Sequence, residues 1–160
     1  MAEKSKVLAL ARKILEDHQE VGSVNAITKI FDIPYAKVKL PNGRCRGAVD
    51  LSEGVEIWWP QIDPLRPNSG WVNVARTNAD GEIVEIEESH VEAIKNIEHM
   101  QNIRLKPNTR ITFGKFDLWG RYKYLGIFDF DPKRSVKSCV WVKVADDCDL
   151  KDTCSSKGNA

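Results

Sequence analysis

The sequence predicts an α+β domain built on a strongly curved antiparallel or mixed sheet, or a small β-barrel, with flanking helices. Helical periodicity appears only before residue 33 and in one stretch near residue 90; the rest reads as short apolar runs punctuated by turn dipeptides. The order helix, helix, many short strands, one helix, strands argues against alternating βαβ units. A chain of 160 residues is long enough for one domain with a real core. The expected organisation is therefore one domain over 1–150, with N-terminal helices in 1–33, a β-rich body over 35–150 and a frayed, disordered tail over 151–160.

Each element has a local reason. Val7, Leu8, Leu10, Ala11, Ile14 and Leu15 recur at spacings of three and four, which predicts an amphipathic helix over 3–18. Ser23 is placed to cap a shorter helix that runs to about Phe31 and is stopped by Pro34. Asn42-Gly43 joins two short runs and suits a type I′ turn. Val55 to Trp59 reads as a strand closed by Pro60, and residues 61–70 form a Pro-rich ordered loop. Trp71–Val74 and Ile83–Ile86 flank Asn78-Ala79-Asp80-Gly81 as a second hairpin, whose outgoing strand alternates apolar with acidic and should keep one face wet. Val91, Ile94, Ile97 and Met100 predict an apolar stripe on a helix over Glu88–Gln101. Strands follow at Arg110–Phe113, Tyr124–Phe130 and Val140–Val144.

Composition excludes several classes. Net charge is +1, so the whole molecule is not a non-specific nucleic-acid coat, although a local patch stays open. No run approaches the ~18 apolar residues of a membrane span, and the N-terminus lacks a signal-peptide pattern. A cytoplasmic protein with no membrane partner is expected. Cys45, Cys139, Cys148 and Cys154 form no CxxC pair and have no histidine at zinc spacing, so reduced thiols and no bound metal are expected. No nucleotide-binding or hydrolase motif occurs, and neither a cofactor nor a catalytic set is expected. His90 and His99, nine apart on the expected helix, should face opposite ways as surface residues. Glu82, Glu85, Glu87, Glu88 and Glu92 read as a solvated strand edge and helix start.

One region is less bland. Arg104, Lys106, Arg110, Lys115, Arg121 and Lys123 face only Asp117, and Phe113, Phe116, Trp119 and Tyr122 are interleaved with them. Cations for phosphates and flat rings for bases are the two components of a nucleic-acid site. Trp58 and Trp59 point to opposite faces of their strand, so one of them, or Trp71, could stack an extruded base.

The segment Arg121-Tyr122-Lys123-Tyr124-Leu125-Gly126-Ile127-Phe128, followed by Val140-Trp141-Val142-Lys143-Val144-Ala145-Asp146-Asp147 and Asp149-Leu150, resembles the closing strands of PUA-like domains. The similarity is to those attached to HNH-type and other modification-dependent restriction endonucleases. Trp71-Val72-Asn73 with Asp80-Gly81-Glu82-Ile83 is similar to a hairpin of the same group, so the likeness covers roughly 71–150. It implies a compact curved barrel that reads a modified base in DNA or RNA, with DNA favoured. Position supplies the candidate site: Trp58 or Trp59, Trp71 and Trp119 as stacking walls, with Tyr122 beside them, and Asn73 on the base edge. Arg110, Lys115, Arg121 and Lys123 would meet phosphate. The leading expectation is a non-catalytic nucleic-acid-binding module of a restriction-modification type system, with a partner nuclease or other protein. A protein-interaction module is the alternative; a metal-dependent nuclease built on Asp50, Glu56, Asp129 and Asp131 is a third.

Overall fold

A computed structural model describes residues 20–42, 44–52, 54–65, 69–106, 108–118 and 120–145. The helix expected over 3–18 and the tail over 151–160 lie outside the described residues. In chain order the elements are β1 (Glu20–Val21), α1 (Val24–Ile30), a 3-10 turn (Tyr35–Lys37), β2 (Ala48–Ser52), β3 (Val55–Trp58), β4 (Trp71–Thr77), β5 (Ile83–His90), α2 (Ala93–Leu105), β6 (Thr109–Gly114), β7 (Tyr122–Phe130) and β8 (Cys139–Ala145). No helix among the described residues is long and apolar enough to cross a membrane.

The strands form one mixed sheet in the order β2-β3-β6-β7-β8-β5-β4, with β1 added to β7. Only the β3–β6 pair is parallel. The α+β expectation holds; the small closed barrel does not. The edges β2 and β4 stay apart, and the chain beyond β3 reaches across only by single bridges, Gln61 to Lys115 and Ile62 to Asn73. Pro60 and Pro64 flank that bridging segment and supply no N–H for a continuous ladder.

β3, β6 and β7 are covered on both faces, which is why they are apolar almost throughout. On one face α1 and the 3-10 turn bring Ile27, Phe31 and Val38 onto Val55, Ile57, Ile111, Phe113 and Ile127. On the other, Trp58, Phe128 and Phe130 meet Ile86 and Trp141 from the curled half of the sheet, and Met100 and Ile103 from α2. Bulges set the curvature: the register slips between Thr112 and Phe113 opposite β7, and between Ile127 and Phe128 opposite β8. Gly126 lies between the slips at φ 117, where an added Cβ would come within 2.7 Å of Lys143 Cε and 3.0 Å of the Ala145 carbonyl.

The local signals behaved as physics suggests. Ser23 Oγ accepts from the Ala26 N–H at 3.1 Å and starts α1. In the β4–β5 turn, Asn78 Oδ1 accepts from the Asp80 and Glu82 N–H groups, both at 3.0 Å. The helix expected over Glu88–Gln101 differs. Glu88 to His90 remain in β5, paired with Asn73 to Trp71, and α2 starts at Ala93. Its buried face is also rotated. Asn96, His99, Met100 and Ile103 turn inward, while Val91, Ile94 and Ile97 are more than half exposed. Polar anchors cause this: Asn96 Nδ2 donates to the Lys137 carbonyl at 2.7 Å, and His99 Nε2 bonds Glu88 Oε1 at 2.8 Å.

The acidic edge is solvated as expected at Glu82, Glu87 and Glu92, but not at Glu85 and Glu88. Glu85 is buried against Arg76 and Arg134. Glu88 is enclosed with Arg110, whose Nε donates to Glu56 and whose other nitrogen donates to Glu88 Oε1 at 3.1 Å. The guanidinium lies 3.8 Å from the Trp141 ring centroid and 4.4 Å from that of Trp58. Trp141 Nε1 donates to the same Glu88 oxygen at 3.1 Å. Burial alone would push the Glu88 carboxyl up. The Arg110 charge, then the His99 hydrogen bond and charge, then Trp141 reverse this and hold it at about 2 instead of 4.5.

Two outcomes follow from this packing. Gly126→Ala should lower stability by about 1–3 kcal/mol in urea denaturation, because both the positive φ and the Lys143 contact oppose a methyl group; an unchanged midpoint contradicts the assigned geometry. A carboxyl with a depressed folded pKa contributes stability that is present above its unfolded value and lost as pH falls toward the folded one. The wild-type chain should therefore lose more stability than Glu88→Gln as pH falls from about 4.5 toward about 2. Parallel stability profiles for the two proteins would count against the cluster.

Candidate nucleic-acid interface

Among the described residues, one of the expected stacking walls, Trp71, keeps an accessible ring. Trp58 and Trp59 do point to opposite faces, but each is buried in a core, and Trp59 Nε1 donates to the Arg46 carbonyl at 2.7 Å. Covered on both sides of the sheet, neither can meet a base without unpacking. Trp119 lies outside the described residues. Trp71 is half-buried at the start of β4. His90 and His99 do not diverge as expected, because His90 is on a strand. Both rings meet Trp71 edge-on, with centroids 4.8 and 4.7 Å away. His90 Nδ1 accepts from the Glu92 N–H, so Nε2 carries the proton given to the Ser69 carbonyl, each at 2.9 Å. This ties the end of the Pro-rich loop to β5.

Asn73 stands two residues along β4, so its side chain leaves the same face as Trp71. It is 4% exposed. Its Nδ2 donates to the Gln61 carbonyl at 3.2 Å, and its own carbonyl accepts from the Asp63 N–H at 2.8 Å. Its Oδ1 is buried with no hydrogen-bond partner. Buried acceptors are almost always paired, so an orphan marks a place where something else is expected. Asn73 is thus more than the turn cap an asparagine near a hairpin often is.

The cations separate into two populations. Arg110 belongs to the core, so its expected phosphate contact is replaced by Glu56 and Glu88. Arg76 and Arg134 are held by Glu85, Lys143 by Glu82, and Lys95 by Glu92. Arg121 and Lys123 are exposed where β1 meets β7, and Lys115 Nζ sits 5.5 Å from the Tyr122 ring centroid. The Tyr122 phenol is pushed up by burial first, then by the nearness of Cys45 and Tyr35. That nearness joins this surface to a hairpin the charge reading missed. Lys37, Lys39, Arg44 and Arg46 are all exposed on it, closed by a Lys39–Cys45 bridge and anchored by buried Val38. None of these seven cations makes an ion pair with a described residue. The signal is legible in the sequence: Lys37 and Lys39, then Arg44 and Arg46, stand two apart on either side of the turn, with no acid between Asp32 and Asp50.

A continuous path results. Gln61 holds Asn73 and bridges Lys115, Lys115 covers Tyr122, and Tyr122 adjoins the basic hairpin. The arrangement offers an enclosed acceptor, one ring and a ridge of positive charge that no described residue pairs. Three of the four carboxylates considered for metal-dependent cleavage are engaged elsewhere. Glu56 holds Arg110, Asp129 accepts from Thr109 Oγ1 at 2.7 Å, and Asp131 accepts from the Lys133 and Arg134 N–H groups of a turn. Asp50 is exposed on the edge strand β2.

No curated protein matches this chain. Among solved structures, the fold is similar to the 5-hydroxymethylcytosine-specific restriction enzyme AbaSI, with a TM-score of 0.52 and 17% identity. The likeness covers 83% of this chain and 43% of the other, so this chain spans less than half the length of that enzyme. At that identity it is a likeness of fold. The sequence profile of the SET and RING associated (SRA) domain matches residues 10–150. The PUA-like resemblance of the closing strands is borne out, and the match reaches well N-terminal of the roughly 71–150 that carry it. With most of its length matched, the chain belongs to the SET and RING associated domain family.

Proposed function

We propose that this chain is a non-catalytic reader of modified cytosine in DNA, which holds an extruded base at Asn73 and the sugar-phosphate backbone along the basic ridge. The orphaned Asn73 Oδ1 carries the reading. A base taken out of the stack is identified by hydrogen bonds to its edge and by stacking on a ring. Cytosine offers an exocyclic amino donor, which is what a buried lone acceptor lacks. Trp71 leaves β4 on the same face and supplies the neighbouring ring, worth ~1–3 kcal/mol per stacked base. The acceptor is enclosed in the free protein, so base binding requires the Gln61–Asp63 segment to give way. Family membership supports the substrate class, and the solved relative is an enzyme specific for 5-hydroxymethylcytosine. The cutting chemistry of such a system is assigned to a nuclease, in the same polypeptide or in a partner.

Phosphate contacts supply affinity and base contacts supply discrimination, so the two parts of the site separate experimentally. Fluorescence anisotropy with one duplex sequence carrying cytosine, 5-methylcytosine or 5-hydroxymethylcytosine should show one modified form bound roughly tenfold or more tightly than cytosine. Equal affinity for all three would refute the reading. Asn73→Ala should remove about 1–3 kcal/mol of that preference and leave binding to plain duplex unchanged. Arg44→Ala and Arg121→Ala should instead weaken every duplex alike, each lowering the dependence of log affinity on log salt by about one. If neither changes that slope, the ridge is not the phosphate surface.

A further inference from the structure

We propose that Glu88, His99 and Cys139 form a zinc-binding site that joins β5, α2 and β8 beneath Trp71. Their ligand atoms lie within 4.8 Å of one another. In a tetrahedral site with bonds of about 2.0–2.3 Å, ligand atoms sit about 3–4 Å apart, so closure needs only small side-chain shifts. Thiolate, imidazole and carboxylate together select a borderline-soft divalent ion such as zinc. Three protein ligands leave the fourth position to water.

The surroundings are built as a metal's outer shell would be. Glu88 accepts from Arg110 and from Trp141 Nε1, which fixes the carboxylate as partners of ligating carboxylates do. Trp71 packs on the His99 ring and limits its rotation. Charge also balances. The enclosed carboxylates Glu56 and Glu88 exceed the single Arg110 guanidinium by one negative charge, which the His99 ring offsets only while it is protonated and not once it is a metal ligand. A divalent cation bound to a cysteine thiolate adds one positive charge, and the buried set becomes neutral. On binding, the Cys139 S–H bond breaks and its proton leaves to solvent, as a sulfur–metal bond forms. The Nε2–H bond through which His99 donates to Glu88 breaks as well, its proton moving to Nδ1 or to solvent, and the freed nitrogen and the carboxylate each bond the ion. Because the thiol gives up its proton to bind, proton release accompanies metal uptake. No chain spacing reveals this site, because its ligands come from three separate elements.

The test uses the full chain, stripped with chelator and titrated with zinc and with cobalt(II). Expected are one equivalent of bound metal and a thiolate-to-cobalt charge-transfer band. A triple variant, Cys45→Ser with Cys148→Ser and Cys154→Ser, keeps Cys139 as its one cysteine and should retain both. Cys139→Ser should abolish the band, and His99→Ala should weaken zinc affinity by roughly 100-fold or more, beyond what loss of an outer-shell partner costs. A triple variant that binds no zinc or gives no thiolate band overturns the proposal, whatever the other variants do. Zinc affinity unchanged in folded His99→Ala overturns it equally. Neither result bears on DNA recognition.

Discussion

The enclosure of Arg110 sets the shape of this molecule. A guanidinium taken out of water costs several kcal/mol unless carboxylates and rings replace its hydration. Here the replacements come from β3, β5 and β8, while the arginine itself is on β6. In the sheet order, β5 is separated from β6 by β7 and β8, so Glu88 can reach Arg110 only if the sheet curls over. The bulges permit that curl and the ion cluster selects its extent. Removing one partner would leave charge without compensation, which makes the arrangement nearly all-or-none. The apolar residues around it fill space at a curvature already fixed.

The same cluster controls the helix above it. An amphipathic helix normally buries its most apolar stripe, yet α2 buries Met100 and Ile103 and turns the half-buried Asn96 and His99 toward the sheet. The His99–Glu88 bond and the Asn96–Lys137 bond turn it away from Val91, Ile94 and Ile97. Trp71 is thereby placed against two histidines, which holds its ring at the rim of the proposed base site. Core electrostatics and recognition geometry are therefore one construction, linked through His99.

What could be read in the sequence was whatever depends on neighbours in the chain. The Ser23 cap, the Asn78–Gly81 turn and the apolar runs of β3, β7 and β8 are local, and their positions were expected. The burial of Glu88 and the face of α2 depend on partners far away along the chain, and no periodicity encodes them. Arg110 was assigned to the surface because charge was counted along the sequence, where it sits among other cations. Its partners Glu56 and Glu88 meet it only in the folded sheet. Asn73 and Trp71 are candidates from their place in the sequence, and it is the folded strand that sends both side chains to one face. The Lys37–Arg46 hairpin shows its turn more plainly than its charge. The Trp58-Trp59 pair shows the limit of alternation. It correctly sent the rings to opposite faces, but both faces proved to be covered.

The parallel pairing of β3 with β6 has a kinetic meaning. Antiparallel neighbours such as β4 and β5 meet across a short turn, and closing that loop costs little chain entropy. β3 and β6 are separated by the Pro-rich loop, a complete hairpin and α2, all of which must be gathered before their ladder can form. Each ladder bond there is rewarded only after a large entropic cost. The β4–β5 hairpin can therefore organise early and present Glu88 as a preformed anchor. The parallel seam, and with it the enclosure of Arg110, carries a larger loop-closure cost than the hairpin does.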